Sequence, residues 1–280
     1  MKLGCSTILF GGYSLDEALD GIAKAGYKAI ELCARPGMAP HVDMNQPASY
    51  YAEIKQKIAD RGLVIESLAG TGGISLDSDE FPHALEVAQL LGAPMIAEGA
   101  GGNSPQVEDD SFRPEYEASL QGVVDILNTA AEQAAQFGIK LTIKPHVGTA
   151  IYSRKSILKA MPDLSQEWIG INFDPTHIWR SGTGEDPVET LRAVKEYIFT
   201  LRIRDNRASR ERPIGPVENQ IAGKGALDLP ALAAEMKTIE HRVPYATLEI
   251  VGTHNGTGWA LEAVQDVIEQ CFNYLEPLLA

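Results

Sequence analysis

Cysteine is scarce in this 280-residue chain: Cys5, Cys33 and Cys271 are the three present, and no two form a C-x-x-C pair. That excludes a disulfide framework and a structural zinc site, and it fits a reducing, cytoplasmic setting. Long apolar runs are also missing. No stretch approaches the roughly 20 apolar residues of a membrane span, and the opening "MKLGCSTILF" is too short in apolar residues for a secretory signal. Positive charge is in deficit, with 24 Lys and Arg against 38 Asp and Glu and a formal net charge of −14. Such a balance disfavours phosphate-backbone and membrane surfaces, so neither nucleic acid nor membrane is an expected partner. No Ser/Gly linker, composition break or close repeat divides the chain.

What is present is an alternation. Short apolar runs recur at "KLGCST" (2–7), "KAIELC" (28–33), "LVIESLA" (63–69), "APMIAEG" (93–99), "KLTIKP" (140–145), "IGINFD" (169–174), "FTLRIRD" (199–205) and "ATLEIV" (246–251). Between them lie segments such as "SLDEALDGIAKAGY" and "PASYYAEIKQKIADRG", with apolar residues at three and four spacing, a Ser or Pro start and a Gly near the end. These read as helices; "SRKSILKAMPDLS" carries the weakest helical pattern. Eight successive βα units predict a parallel sheet closed into a single (β/α)8 TIM barrel, one domain over residues 1–280. A doubly wound sheet is the alternative, but no glycine fingerprint follows the first strand.

Active sites of such barrels sit at the C-terminal strand ends, where alternation decides which side chains face inward. In "GINFD", Ile171 and Phe173 share one face and Asn172 and Asp174 the other. The same parity separates Leu141 and Ile143 from Lys144, Leu201 and Ile203 from Arg202 and Arg204, and Leu248 and Ile250 from Glu249. Four strands therefore aim Lys144, Asp174, Arg202 and Glu249 into a lumen that barrels normally fill with branched apolar residues. Burying such a ring is costly unless its members pair. One reading is a structural salt-bridge network. The other is an acid/base constellation, since His146 and His177 follow two of these strands.

Four motifs carry a family resemblance. "IGINFDPTHIW" resembles the D-x-x-H of a sixth strand, "LRIRDNR" the H-x-K-D of a seventh, "GKGALDLPAL" a G-x-G-x-I/L-D loop, and "YATLEIVG" a closing glutamate strand. Together with "AGYKAIEL" they resemble the xylose isomerase-like barrels, the sugar phosphate isomerase/epimerase superfamily, along the whole chain. The resemblance implies isomerase, epimerase or dehydratase chemistry on a small carbohydrate, and homodimers are common among its members. It also implies a divalent metal (Mn, Mg, Co or Zn) held by four residues, at the positions of Lys144, Asp174, Arg202 and Glu249 here. Two of these are cations. A divalent ion about 4 Å from one fixed cation meets roughly 8 kcal/mol of repulsion at an effective dielectric near 20, and a protonated Lys or Arg cannot be a ligand. No metal or other cofactor is therefore expected at that position.

The leading expectation is a sugar isomerase or epimerase that abstracts a proton next to a carbonyl. Glu249 is the expected proton-transfer residue, His177 or His146 the hydroxyl-binding or second acid/base group, and Asp174 a further catalytic residue. Lys144 serves as base, Schiff-base former or electrostatic clamp, according to how its neighbours balance. Arg202, Arg204 and Arg207 suit an anionic sugar acid or phosphate, Trp179 can stack on a sugar face, and Glu31 and Glu98 can reach the pocket from strands two and four. Arg210 and Arg212 read as a solvated loop. The alternatives are a metal-free lyase or dehydratase on a keto sugar, or a carbohydrate-binding member without catalysis. The DNA-repair branch of the superfamily needs further histidines at strands three and four, which "VIESLAGTGG" and "MIAEGAGG" lack.

Overall fold

In the computed structural model, which describes residues 1–104, 114–207, 214–253 and 258–280, the apolar runs form eight parallel strands. These are β1 (Lys2–Ser6), β2 (Ala29–Arg35), β3 (Val64–Ala69), β4 (Met95–Gly99), β5 (Lys140–Lys144), β6 (Ile169–Phe173), β7 (Ile198–Ile203) and β8 (Tyr245–Leu248). Each pairs with the next, and β1 pairs with both β2 and β8, so the sheet closes. A two-residue strand, Ala39–Pro40, hangs antiparallel from the end of β2.

The helices surround the sheet: α1 (Leu15–Ala25), α2 (Ala48–Asp60), α3 (Phe81–Leu91), α4 (Pro114–Phe137), α5 (Arg154–Ala160), α6 (Pro175–Trp179), α7 (Pro187–Val194), α8 (Leu229–Lys237) and α9 (Leu261–Leu279). Local chemistry sets their ends. Ser14 and Glu17 exchange hydrogen bonds in a capping box at the start of α1, and Gly26 takes the left-handed conformation after it. Asp186 accepts from Val188 and Glu189 N–H ahead of Pro187 to open α7. The weakly patterned "SRKSILKAMPDLS" yields seven residues of helix and a 3-10 turn, begun by a Ser153–Ser156 capping box. Apolar residues of one parity, such as Ile143, Ile171, Phe173, Leu201 and Leu248, are buried in the core. Among the described residues no helix is long and apolar enough to cross a membrane.

Two bulges break the simple alternation. Ile30 pairs with Ile65 but Glu31 pairs with Ser67, which leaves Glu66 as the extra residue of β3. Likewise Ile171 faces Ile198 while Asn172 faces Thr200, so Phe199 is the extra residue of β7. Bulges re-aim side chains. Here they bring Glu66 and Arg202 into the lumen at one level.

Candidate active site

Polar side chains occupy successive levels of the lumen. At one level Thr142 and Thr200 share a hydrogen bond of 2.8 Å across the barrel, and Thr247 donates to Glu66 Oε2 at 2.8 Å. Beside them lies Arg202, with no exposed surface. Its Nη2 bonds Glu31, its Nη1 bonds Glu66 at 3.0 Å, and its Nε lies 3.2 Å from Glu249 Oε2 without hydrogen-bond alignment. Burial disfavours the cation, yet the three carboxylates outweigh it and raise its proton affinity. Glu66 is pushed up to about 7, because burial outweighs the pull of Arg202 and Thr247.

Two more pairs stand nearer the mouth. Lys144 Nζ meets Glu249 Oε2 at 2.5 Å, the two side chains being 15% and 9% exposed. Burial alone would raise the Glu249 carboxyl; Lys144, Arg204 and Arg202 hold it down to about 2. Arg204 Nη2 donates to Asp174 Oδ2 at 2.8 Å and its Nε to Thr176 Oγ1 at 3.1 Å. Burial alone would raise the Asp174 carboxyl; Arg204, with Lys144 and the Thr176 hydroxyl adding to it, holds it well below the ordinary carboxylate range. The same Asp174 caps α6, taking the Thr176 N–H at 2.9 Å and the Thr176 hydroxyl at 2.6 Å, with Pro175 following it. One carboxylate thus starts the helix that carries His177 and anchors Arg204.

A cavity of about 370 Å³ opens above these pairs, lined by Lys144, His146, Asn172, His177, Arg204 and Glu249 among others. The two imidazoles lie with ring centroids 4.0 Å apart. Burial depresses both proton affinities, with Lys144 adding to the effect in each, so both are neutral near pH 7. Their tautomers follow from their partners. His146 Nδ1 lies 2.7 Å from the Val147 carbonyl, which can only accept, so Nδ1 carries the proton and Nε2 keeps its lone pair. Arg204 donates to His177 Nε2 at 3.4 Å; His177 therefore holds its proton on Nδ1, which is buried and has no hydrogen-bond partner among the described residues.

Not every residue read from the sequence reaches this cavity. Arg202 sits beneath it, wholly enclosed by carboxylates, and has no face to offer a ligand. Arg207 is exposed and donates from Nε to the Lys224 carbonyl at 2.8 Å, away from the lining. Trp179 packs half-buried against the core rather than on the cavity wall. Arg210 and Arg212 lie outside the described residues. Glu31 and Glu98 do line the cavity. Sequence reasoning missed Glu66, Arg35 and Arg180; the last two also line it. Arg35 ends β2 just before Pro36 and pairs with Glu98 at 3.3 Å, so a charge at a strand terminus was the available signal. For Glu66 the bulge removes any signal from alternation.

The donor set does not fit a divalent ion. Among the described residues no three His, Cys, Asp or Glu side chains are grouped to hold one. Of the two carboxylates at metal-ligand positions of the resemblance, Asp174 spends both oxygens on Arg204 and Thr176, and Glu249 Oε2 faces Lys144 and Arg202, so two cations crowd the place a divalent ion would take.

Comparison with known proteins agrees with the barrel. An inosose dehydratase of Mesomycoplasma hyopneumoniae (strain 7448) is 24% identical over 289 residues, covering 95% of this chain and 89% of its own. One of Clostridium botulinum (strain Alaska E43 / Type E3) is 22% identical over 278 residues, covering 90% and 83%. Among solved structures, the probable 3-DHS dehydratase AsbF of Bacillus anthracis superposes with a TM-score of 0.76 at 19% identity over 99% of both chains. A D-psicose 3-epimerase crystallised with D-fructose gives 0.75 at 14% identity, covering 100% of this chain and 99% of its own. The IOLI protein, solved with a bound zinc atom, gives 0.73 at 18% identity, covering 100% and 98%. At these identities the solved structures speak for the fold. The family model described as xylose isomerase-like TIM barrel matches residues 19–271, and this chain belongs to that family.

Proposed function

We propose that this protein is a dehydratase of a small polyhydroxylated ketone, a keto sugar or keto cyclitol, working without a bound divalent metal. One observation carries the reading: a neutral imidazole with its Nε2 lone pair available, His146, stands in the same cavity as the Lys144 side chain, which Glu249 holds at 2.5 Å. Support comes from the curated relatives, named inosose dehydratases, and from the structural likeness to a 3-DHS dehydratase.

His146 Nε2 takes the proton on the carbon next to the carbonyl, and the electron pair moves onto the carbonyl oxygen. Lys144 donates to that oxygen as it becomes an enolate. The pair then returns to expel a hydroxyl from the neighbouring carbon. The imidazolium of His146 gives its proton to that hydroxyl, which leaves as water, and an α,β-unsaturated ketone remains. One acid/base suffices for both transfers if they occur on one face of the ring. Glu249, held near a pKa of 2, is a weak base and serves chiefly to orient Lys144. His177 lines the cavity beside His146, and Arg204 and Arg180 favour an anionic or strongly polar ring.

A second reading, epimerisation, is favoured by Glu98, whose proton affinity burial raises and which lines the same cavity from β4. It supplies a second proton carrier. The test is to assay chelator-treated protein with inosose and a panel of keto sugars, following the ultraviolet absorbance of the conjugated ketone. Activity should survive chelation, and His146→Ala should lower it by about 100-fold or more. Activity that vanishes with chelator, or that persists in His146→Ala, refutes the reading. Exchange of substrate hydrogen for solvent deuterium without loss of water moves the assignment to epimerisation.

A further inference from the structure

Asn172 lies on β6 and lines the cavity together with Lys144 and His177, although only 1% of its surface is exposed. Its Oδ1 is sealed from solvent and meets no hydrogen-bond donor among the described residues. The strand register explains why. On one side Ile143 pairs with Ile171, which puts Lys144 level with Asn172, but Lys144 Nζ reaches away to Glu249 at 2.5 Å. On the other side Asn172 pairs with Thr200, whose hydroxyl shares its hydrogen bond with Thr142 at 2.8 Å. Both polar neighbours are thus engaged elsewhere. A buried amide oxygen without a partner costs the fold free energy and calls for a reason.

We infer that Asn172 is a substrate-binding residue whose side-chain amide takes a ring hydroxyl close to the oxygen that Lys144 holds. The inference deepens the reading of this cavity as the site of a polyhydroxylated ring, and it rests on that reading. A hydroxyl both donates and accepts, and a half-turn of an amide exchanges its oxygen and nitrogen, so the bond can form in either direction. A methylene at the same ring position offers neither and leaves the amide unpaired. Asn172 therefore selects for an oxygen at that carbon.

The experiment replaces Asn172 by leucine, which has the same branching and a similar volume, and reads stability and binding together. Because Oδ1 has no internal partner to lose, the melting temperature of Asn172→Leu should lie no more than about 2 °C below that of the parent, and a rise fits equally well. Calorimetric titration of the full chain with myo-inositol, a ring of hydroxyls without a carbonyl, should show roughly tenfold weaker binding in the variant. Asn172→Ala should weaken binding as much, which separates the missing hydrogen bond from the bulk of leucine. A larger fall in the melting temperature of Asn172→Leu, a loss of affinity under about threefold in either variant, or no binding of myo-inositol by the parent would each overturn the assignment. Failure of the parent to dehydrate inosose or keto sugars would instead overturn the proposed reaction while leaving the affinity ratio standing.

Discussion

Replacing Arg202 by methionine removes the cation at the centre of the lumen while keeping an unbranched side chain of similar reach. Glu31 and Glu66 then lose their ionic partner, and both are almost fully buried. Removing one member of a buried pair costs about 3–5 kcal/mol. Total stability for a domain is only about 5–15 kcal/mol, so the variant should stand close to unfolding at neutral pH. Glu249 suffers less, because Lys144 remains 2.5 Å away. The sign of the pH dependence follows. Without the cation, burial holds a proton on Glu66, whose affinity is already raised, that the unfolded chain releases above its ordinary carboxyl range. Stability therefore falls as pH rises through that window, and acid partly rescues the variant. Adding Glu31→Gln and Glu66→Gln to Arg202→Met removes the stranded charges, and that triple variant should return to within about 2 kcal/mol of the parent. Urea unfolding of the parent, single and triple variants at about pH 5.5 and about pH 8 reads all three effects. A loss under about 1 kcal/mol in the single variant near pH 8, or no recovery in acid, would refute the account of Arg202 as a strut between buried carboxylates.

Other outcomes test other parts of the site. Elemental analysis of unchelated protein should find less than about a tenth of an equivalent of Mn, Co, Zn or Mg, since Lys144 and Arg204 repel a divalent ion; near one equivalent overturns the metal-free reading. Nuclear magnetic resonance titration of the imidazoles should place the His146 midpoint below its ordinary 6.5, because burial and Lys144 disfavour the cation. Activity should then be level above that midpoint and fall as pH drops through it, whereas a midpoint above 6.5 would remove His146 as a resting base. Gly225→Ala should be costly for a steric reason. Its Cβ would overlap the Asp205 carboxylate, which accepts N–H groups from Asn206, Gly223, Gly225 and Leu227 at 2.8–3.2 Å. A destabilisation of about 2–4 kcal/mol is expected in thermal unfolding, and less than about 1 kcal/mol would show that the loop adapts.

Periodicity located all eight strands because parallel barrel strands bury one face on helices and must be apolar there. Inward parity then picked out Lys144, Asp174, Arg202 and Glu249, and the lumen does hold all four. It could not tell depth. Arg202 and Arg204 share a face two residues apart, but one lies under the cavity and the other in its wall. Rise along a tilted strand decides that, and a sequence does not carry the tilt. Glu66 escaped because counting by twos assumes an unbroken ladder, and it is itself the bulged residue. The helix α6 was within reach, since an Asp-Pro pair is a start signal, yet five residues are too few for apolar periodicity to register.

Exchanging a metal for side-chain cations alters what the site can do, beyond keeping its charge near balance. A divalent ion can chelate two adjacent oxygens and so favours substrates that present a vicinal pair. An ammonium donates along separate N–H directions and carries a proton that can be handed on. Lys144, already bonded to Glu249 through one such direction, keeps others for a single developing oxyanion. That geometry suits a ketone whose charge gathers on one oxygen while the adjacent hydroxyl departs, and it gives no grip on a dihydroxy chelate. Lys144→Met should therefore abolish turnover, and added divalent metal should fail to restore it. Lys144→Glu, which rebuilds a carboxylate at the metal-ligand position, should still not bind metal tightly while Arg202 and Arg204 remain to fill the space with charge. Recovery of metal-dependent activity in Lys144→Glu alone would show that the arginines are bystanders and that one lysine had displaced the ion.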